Sequence, residues 1–298
     1  KNIVELLSID SYNCSIAFFL GFLMELRMTN YIKNSFLVLL LLALLNCAAI
    51  AKTVTVKDDI GFQQALRNDK VNSIIIKTTK YNPKLMYITG YDFNKDSIWN
   101  KGYVLDKNLS ISGSVNPLGD MNETALALVL YNTVDLTKYN LSLKNISVSN
   151  FSEEINFNDA PFFMVGVGHK LTLNNASLQT YLSDNFYGNM IENKGIIDLY
   201  SARLIGFNEA QTKDERLYNI KNNGIVNFKS GQNIVYNGIT ADADKGITNI
   251  SGGKVTFNFD AGLKQENVKI TKGYLNINPE YIEVNKLVNN VKNGVVFA

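Results

Sequence analysis

Short runs of alternating apolar and polar residues cover much of the chain beyond residue 52, as in Val54-Thr55-Val56, Leu109-Ser110-Ile111, Leu141-Ser142-Leu143 and Leu171-Thr172-Leu173. A period of two sends successive side chains to opposite faces, so each run predicts a strand with one buried face. Asn, Gly, Lys and Asp fill the intervals, and these residues accept turns and positive φ. One stretch differs. From Asp58 to Asn68 the spacing is helical, with Ile60, Phe62, Ala65 and Leu66 expected on one face and Asp58 or Asp59 as the N-cap.

Comparing the chain with itself adds a repeat. Segments started at their turn residues, Tyr139, His169, Lys194, Asn223, Lys245, Asn267 and Asn285, align as two short strands broken by a polar or glycine turn. The starts are separated by 30, 25, 29, 22, 22 and 18 residues, in or near the range of solenoid coils. The expected fold is therefore all-β: a right-handed parallel β-helix with a short N-terminal capping helix, whose unequal coils are accommodated by insertions in the turns. An antiparallel β-sandwich also gives short strands at regular intervals and stays open as the alternative.

Residues 52–106 read as an N-terminal cap region. They combine the predicted helix, the apolar Ile74-Ile75-Ile76 and an aromatic stretch with Tyr87, Tyr91, Phe93, Trp99 and Tyr103. The helix at 58–68 is the candidate cover for the open end of the first coil. Residues 107–298 carry the repeats. The apolar end Val295-Val296-Phe297-Ala298 is expected to reflect truncation of a longer protein.

The first fifty residues predict export. From Met28 the chain has a polar, singly positive start at Lys33, an apolar run from Phe36 to Leu45, then Ala49-Ile50-Ala51, the three-part pattern of a signal peptide over 28–51 with cleavage before Lys52. The apolar run is too short for the roughly 20 residues of a membrane-spanning helix. A lipoprotein acylated at Cys47 is a further alternative, although Asn46 stands where a small residue is wanted. Residues 1–27, with a second apolar patch at Ile16–Leu26, are expected to be an upstream extension outside the mature protein.

Both cysteines, Cys14 and Cys47, precede that cleavage site, so the mature chain is expected to lack disulfides and thiolate-bound metals. Its stability must come from its core. A formal charge of +2, without a block of like charge, argues against a nucleic-acid partner.

The signal peptide, the Phe62–Leu66 helix followed by Ile74-Ile75-Ile76, and the repeats Asn223-Gly224-Ile225-Val226-Asn227-Phe228 and Gly246-Ile247-Thr248-Asn249-Ile250 resemble the passenger regions of bacterial autotransporters and polymorphic outer-membrane proteins. The resemblance covers residues 52–298. It implies a pectate-lyase-like β-helix displayed at the cell surface by a C-terminal membrane barrel, whose run of strands of about ten residues with an outward apolar band is not expected within residues 52–298. It also agrees with the absence of cysteine, since a passenger crosses the outer membrane unfolded.

β-Helices also host polysaccharide lyases and hydrolases, which need convergent carboxylates. The candidate pairs are Asp58-Asp59, Glu153-Glu154, Asp214-Glu215 and Asp242 with Asp244. The first fits a helix cap. Asp242 and Asp244 could face one way as a calcium pair, but lie in a predicted turn. His169 is the only histidine, which removes His-dyad and multi-His chemistry, and no phosphate-binding loop is present. Asn108, Asn122, Asn140, Asn145, Asn150, Asn175 and Asn249 begin Asn-x-Ser/Thr triplets, and turn asparagines are expected to take positive φ or to stack as ladders between coils.

No catalytic, cofactor-binding or metal residue is assigned, and no cofactor is expected. The expected role is that of a secreted or surface-displayed structural and adhesive protein, contacting host or neighbouring cell surfaces or glycans through its turn loops. Its only membrane relations would be the export signal and a missing barrel. A carbohydrate-active β-helix enzyme and a β-sandwich binding module remain as alternatives.

Overall fold

The computed structural model describes residues 52–77, 86–88, 103–113, 127–130, 133–150, 161–180, 189–206, 218–258, 261–277 and 281–297. The signal peptide and upstream extension, both cysteines, Tyr91, Phe93, Trp99, Asn122 and the pairs Glu153-Glu154 and Asp214-Glu215 lie outside them. The chain divides into two units, Lys1–Ile50 and Ala51–Ala298, and all the described residues belong to the second.

Among the described residues twenty-three strands form one continuous sheet, and every pairing in it is parallel. Parallel pairing of one coil with the next makes this a parallel β-helix and removes the antiparallel sandwich. Three ladders run along it, here called faces A, B and C in the order the chain visits them. On face A the inward residues Ile74, Ile111, Leu143, Leu173, Leu199, Phe228, Ile250 and Ile270 stack one per coil. All eight are fully buried. Leu128, Val148, Leu178, Leu204, Val235 and Phe257 do the same on face B, and Val134, Phe163, Ile191, Ile220, Ile239 and Leu263 on face C. Each such side chain contributes about 1.5–3 kcal/mol by leaving water.

The inward column of face A also measures coil length. Its successive members are 37, 32, 30, 26, 29, 22 and 20 residues apart. The column keeps register throughout, so the variation falls in the connections. The corner from face C to face A varies irregularly along the chain: Leu136 to Leu141 is five positions, Val165 to Leu171 six, Asn193 to Ile197 and Asn222 to Val226 four, Ala241 to Thr248 seven and Gln265 to Val268 three. Segments aligned from their turn residues therefore slip. Leu171 lies beside Ile197, not Ile196, and Ile247 beside Asn267, two positions from the turn-based match. A slip of one residue exchanges the buried and exposed faces, so the inward columns, not the turns, give the true register.

The corner from face A to face B has one conformational rule. In seven successive coils one residue takes left-handed backbone: Asn145, Asn175, Ser201, Gly231, Gly253, Gly273 and Asn293, with φ of 51, 51, 51, 71, 76, 86 and 56°. That single residue turns the strand through the corner, and Asn and Gly tolerate it best. Asn175 Nδ2 also donates to Asn145 Oδ1 at 2.8 Å, so turn asparagines here both adopt positive φ and stack. In the later coils space becomes limiting: a Cβ on Gly253 would lie 2.2 Å from the Gly231 carbonyl oxygen.

The predicted helix is present as Asp59–Arg67. Asp58 is the N-cap, its Oδ1 accepting from Gly61 N at 2.8 Å. Phe62, Ala65 and Leu66 are buried against strands 52–56, 71–76 and 86–88 and cover the first coil. Ile60 is not on that face; it is 71% exposed. Two residues of helix rotate a side chain by about 200°, so Ile60 points away from the stripe that Phe62 begins. The face A ladder runs back through strand 71–76 to strand 52–56, so the cap region also supplies coil strands.

Candidate functional site

The outward positions of face A carry a continuous polar ladder. In register with one another lie Thr172, Asp198, Asn227, Asn249 and Lys269. Asn249 Nδ2 donates to Asn227 Oδ1 at 2.9 Å, and Asn227 Nδ2 donates to Asp198 Oδ1 at 2.8 Å. The amides point the same way along the stack and end on a carboxylate. Lys170 Nζ lies 3.5 Å from Asp198 Oδ2, and Lys229 Nζ 4.0 Å from Asp198 Oδ1.

Asp198 faces outward, yet the residue is only 7% exposed, because its neighbours in the ladder and the two lysines enclose it. A carboxylate so enclosed needs compensating partners, and here both oxygens are engaged. The lysines keep 45% and 37% of their side chains exposed, so the cluster shows cations to solvent above a neutralised carboxylate. It can bind a polar or anionic group through those ammoniums. A free carboxylate for proton abstraction is not what it offers.

The candidate carboxylates named from the sequence fare differently from one pair to the next. Asp58 serves as the helix cap, as its position implied. Asp242 sits at a corner between faces, where it exchanges two hydrogen bonds with Asn223: Asn223 Nδ2 donates to Asp242 Oδ2 at 2.7 Å and Asp242 N donates to Asn223 Oδ1 at 2.9 Å. Lys221 and Lys245 approach the same carboxylate at 3.3 and 3.9 Å. Partial desolvation pulls the Asp242 carboxyl upward, but the hydrogen bonds from Asn223 and Lys221 and the charges of Lys221 and Lys245 outweigh it, so its pKa is lowered. Asp244 occupies left-handed backbone at φ 56° in the same turn. Asp242 is thus spent on lysines, and among the described residues no group of three His, Cys, Asp or Glu could hold a metal.

His169 lies in the turn entering face A. Its N–H donates to Gly166 O at 3.1 Å and its carbonyl accepts from Ile196 N at 2.9 Å, so its backbone joins two coils. Of the aromatic stretch, Tyr87 contributes backbone to strand 86–88 and Tyr103 packs against the core. Motif and spacing arguments miss the Asp198 cluster. Its signal is the central polar residue shared by Ile197-Asp198-Leu199, Val226-Asn227-Phe228 and Thr248-Asn249-Ile250, which marks one outward register position in three successive coils. No family model, no curated protein and no solved structure matches the chain.

Proposed function

We propose that this chain is an exported, surface-displayed β-helical protein of the passenger type, with a structural and adhesive role. The observation that supports it is where the chain spends its extra length. Between faces B and C, the connections of three successive coils span 151–162, 181–190 and 206–219, whereas the next coils cross the same corner with 236–237, 258–261 and 278–280. Long connections concentrated on one corner of a rigid scaffold are a usual way to carry recognition residues. The three long spans are rich in aromatic and acidic residues, among them Phe157, Phe186, Tyr187, Glu153, Asp184 and Glu209. Aromatic side chains bury large area at low entropy cost, and the acidic ones favour cationic surfaces.

The test replaces residues 151–160 by the two-residue connection used at 236–237. The variant is expected to keep its circular dichroism and thermal midpoint while losing binding of the purified protein to cultured cells. Unchanged cell binding, or no cell binding by the parent protein, would remove the adhesive role.

A carbohydrate-active role is the second reading, and the Lys170, Asp198 and Lys229 cluster on an open sheet face is what favours it. Anionic polysaccharides are the fitting substrates, because their carboxylates match the two exposed ammoniums. Incubation with polyuronides, followed for new reducing ends and for unsaturated products, distinguishes cleavage from binding alone.

A further inference from the structure

The coil stack is covered at one end. Helix Asp59–Arg67 lies over the first coil, whereas among the described residues no strand pairs with the far edge of Tyr281–Asn289 and Val295–Phe297. Ile282 and Leu287 continue inward columns whose preceding members, Leu263 and Val268, are buried, yet they are themselves 38% and 52% exposed. An unpaired edge backed by apolar side chains is a template for another strand.

The backbone sets which strand fits. In this stack a residue with an inward side chain directs its N–H and C=O to the following coil, and an outward one directs them to the preceding coil. Leu275 N donates to Gly294 O, Ile270 O accepts from Asn290 N, and Thr271 N donates back to Ile250 O. In strand 281–289 the groups left facing onward are therefore those of Ile282, Val284, Leu287 and Asn289. An antiparallel partner exchanges two hydrogen bonds where two such residues stand opposite each other.

A second copy of the same edge meets that condition. Turned about a two-fold axis through the corner at Asn285, it lays its face A on face C of the first copy, with the strands antiparallel. Ile282 then stands opposite Leu287 of the second copy, both with onward backbone groups and inward side chains. The adjacent outward pair is Glu283 with Lys286, and opposite charges in such a cross-strand pair attract. Lys286 is exposed and makes no ion pair with the described residues, while Glu283 is 3.4 Å from Lys264 Nζ and would lie between two ammoniums. The same axis crosses the middle of face B, where Val296, 42% exposed, meets its own counterpart.

We infer that the edge 281–297 is a tail-to-tail dimer interface, in which Ile282 pairs with Leu287 and Glu283 with Lys286 of a second copy. A two-fold contact of this kind closes at two molecules, and the cap helix at the other end keeps the pair from growing into a fibre. The edge supplies seventeen residues, fewer than the roughly 20–30 a side of a stable interface, so the dimer is expected to dissociate on dilution. It concerns the chain of this sequence and depends on none of the functional readings above.

The test is sedimentation equilibrium of the full chain over a concentration series, with circular dichroism as the check on folding. The parent is expected to be a reversible dimer at about 100 µM, a loading that populates an association of micromolar affinity. Lys286→Glu sets carboxylate against carboxylate and is expected to weaken the dimer at least about ten-fold; adding Glu283→Lys restores opposite charges and is expected to recover it. Leu287→Pro removes an N–H that the single molecule leaves free, so it is expected to keep the parent's dichroism and stay monomeric. A parent that is monomeric throughout, a larger open assembly, or a dimer unmoved by Lys286→Glu and Leu287→Pro would overturn the interface. A folded charge-swapped double variant that stays apart would overturn the register on which it rests.

Discussion

Lys107 closes the C-terminus of the cap helix from about forty residues away: its Nζ donates to Leu66 O at 2.6 Å and to Asn68 O at 2.8 Å. The last carbonyls of a helix have no partner within it and carry the negative end of its dipole, so an ammonium there answers both needs. It also joins the cap to the first turn entering strand 109–113. Lys107→Met is expected to lose about 1.5–3 kcal/mol, the usual range for hydrogen bonds to a charged group. Amide exchange in 62–67 should accelerate while that in 171–178 stays slow; equal acceleration in both would mean that Lys107 holds the whole stack and not the cap.

Asn175 stands at left-handed φ, bonded through its amide to Asn145 one coil before. Asn175→Gly keeps the backbone conformation and loses the ladder bond, an expected cost of about 1 kcal/mol. Asn175→Ala adds the left-handed penalty for a Cβ, about 1–2 kcal/mol more. Urea midpoints for the two variants should therefore fall in the order parent, Gly, Ala. The reverse order for Gly and Ala would mean that the left-handed conformation at this corner does not penalise a Cβ.

The same corner separates what is legible in the sequence from what is not. Alternation at Leu171-Thr172-Leu173 and its counterparts identifies strands because burial on one face leaves a period-two trace. Positive φ at Asn145 and Asn175 is legible too, since few residues accept it. Register is harder, because the turn residues that catch the eye, Lys194 and Lys245, sit in corners of unequal length. Ile60 enters the expected stripe because it is apolar and close in sequence, but it stands two residues before Phe62, about 200° round the helix, so only Phe62, Ala65 and Leu66 are buried. The Asp198 cluster combines residues 22 to 31 positions apart whose closeness exists only once coils stack; in sequence they read as ordinary polar spacers.

Asp198 gives a measurable electrostatic consequence. Asp198→Asn keeps an acceptor for Asn227 and gives up only attraction to two half-exposed lysines, so its expected cost is below about 1 kcal/mol. Asp198→Ala leaves Asn227 Nδ2 without its acceptor, and the expected cost rises to about 1–3 kcal/mol. Thermal unfolding at low and high salt separates the two contributions. Equal losses for Asn and Ala would show that charge, not the amide bond, governs the ladder's end.

Tyr103 supplies a pH dependence of definite sign. Burial, reinforced by the Asp106 carboxylate and opposed by the Arg67 guanidinium, pushes its phenol from the ordinary 10.0 up to about 12. Below pH 10 the phenol is neutral in the folded and unfolded chains alike, so its contribution to stability is fully present. As pH rises between 10 and 12 the unfolded chain ionises first, and stability falls by up to about 2–3 kcal/mol, since each tenfold difference in proton affinity between the two states corresponds to about 1.4 kcal/mol. Lysines titrate in the same range, so the comparison must be with Tyr103→Phe, which keeps the ring and removes the ionising group. Urea unfolding at pH 9 and about pH 11 should show a steeper loss for the parent than for the Phe variant. Parallel losses would place the phenol in contact with solvent and remove its burial as the cause.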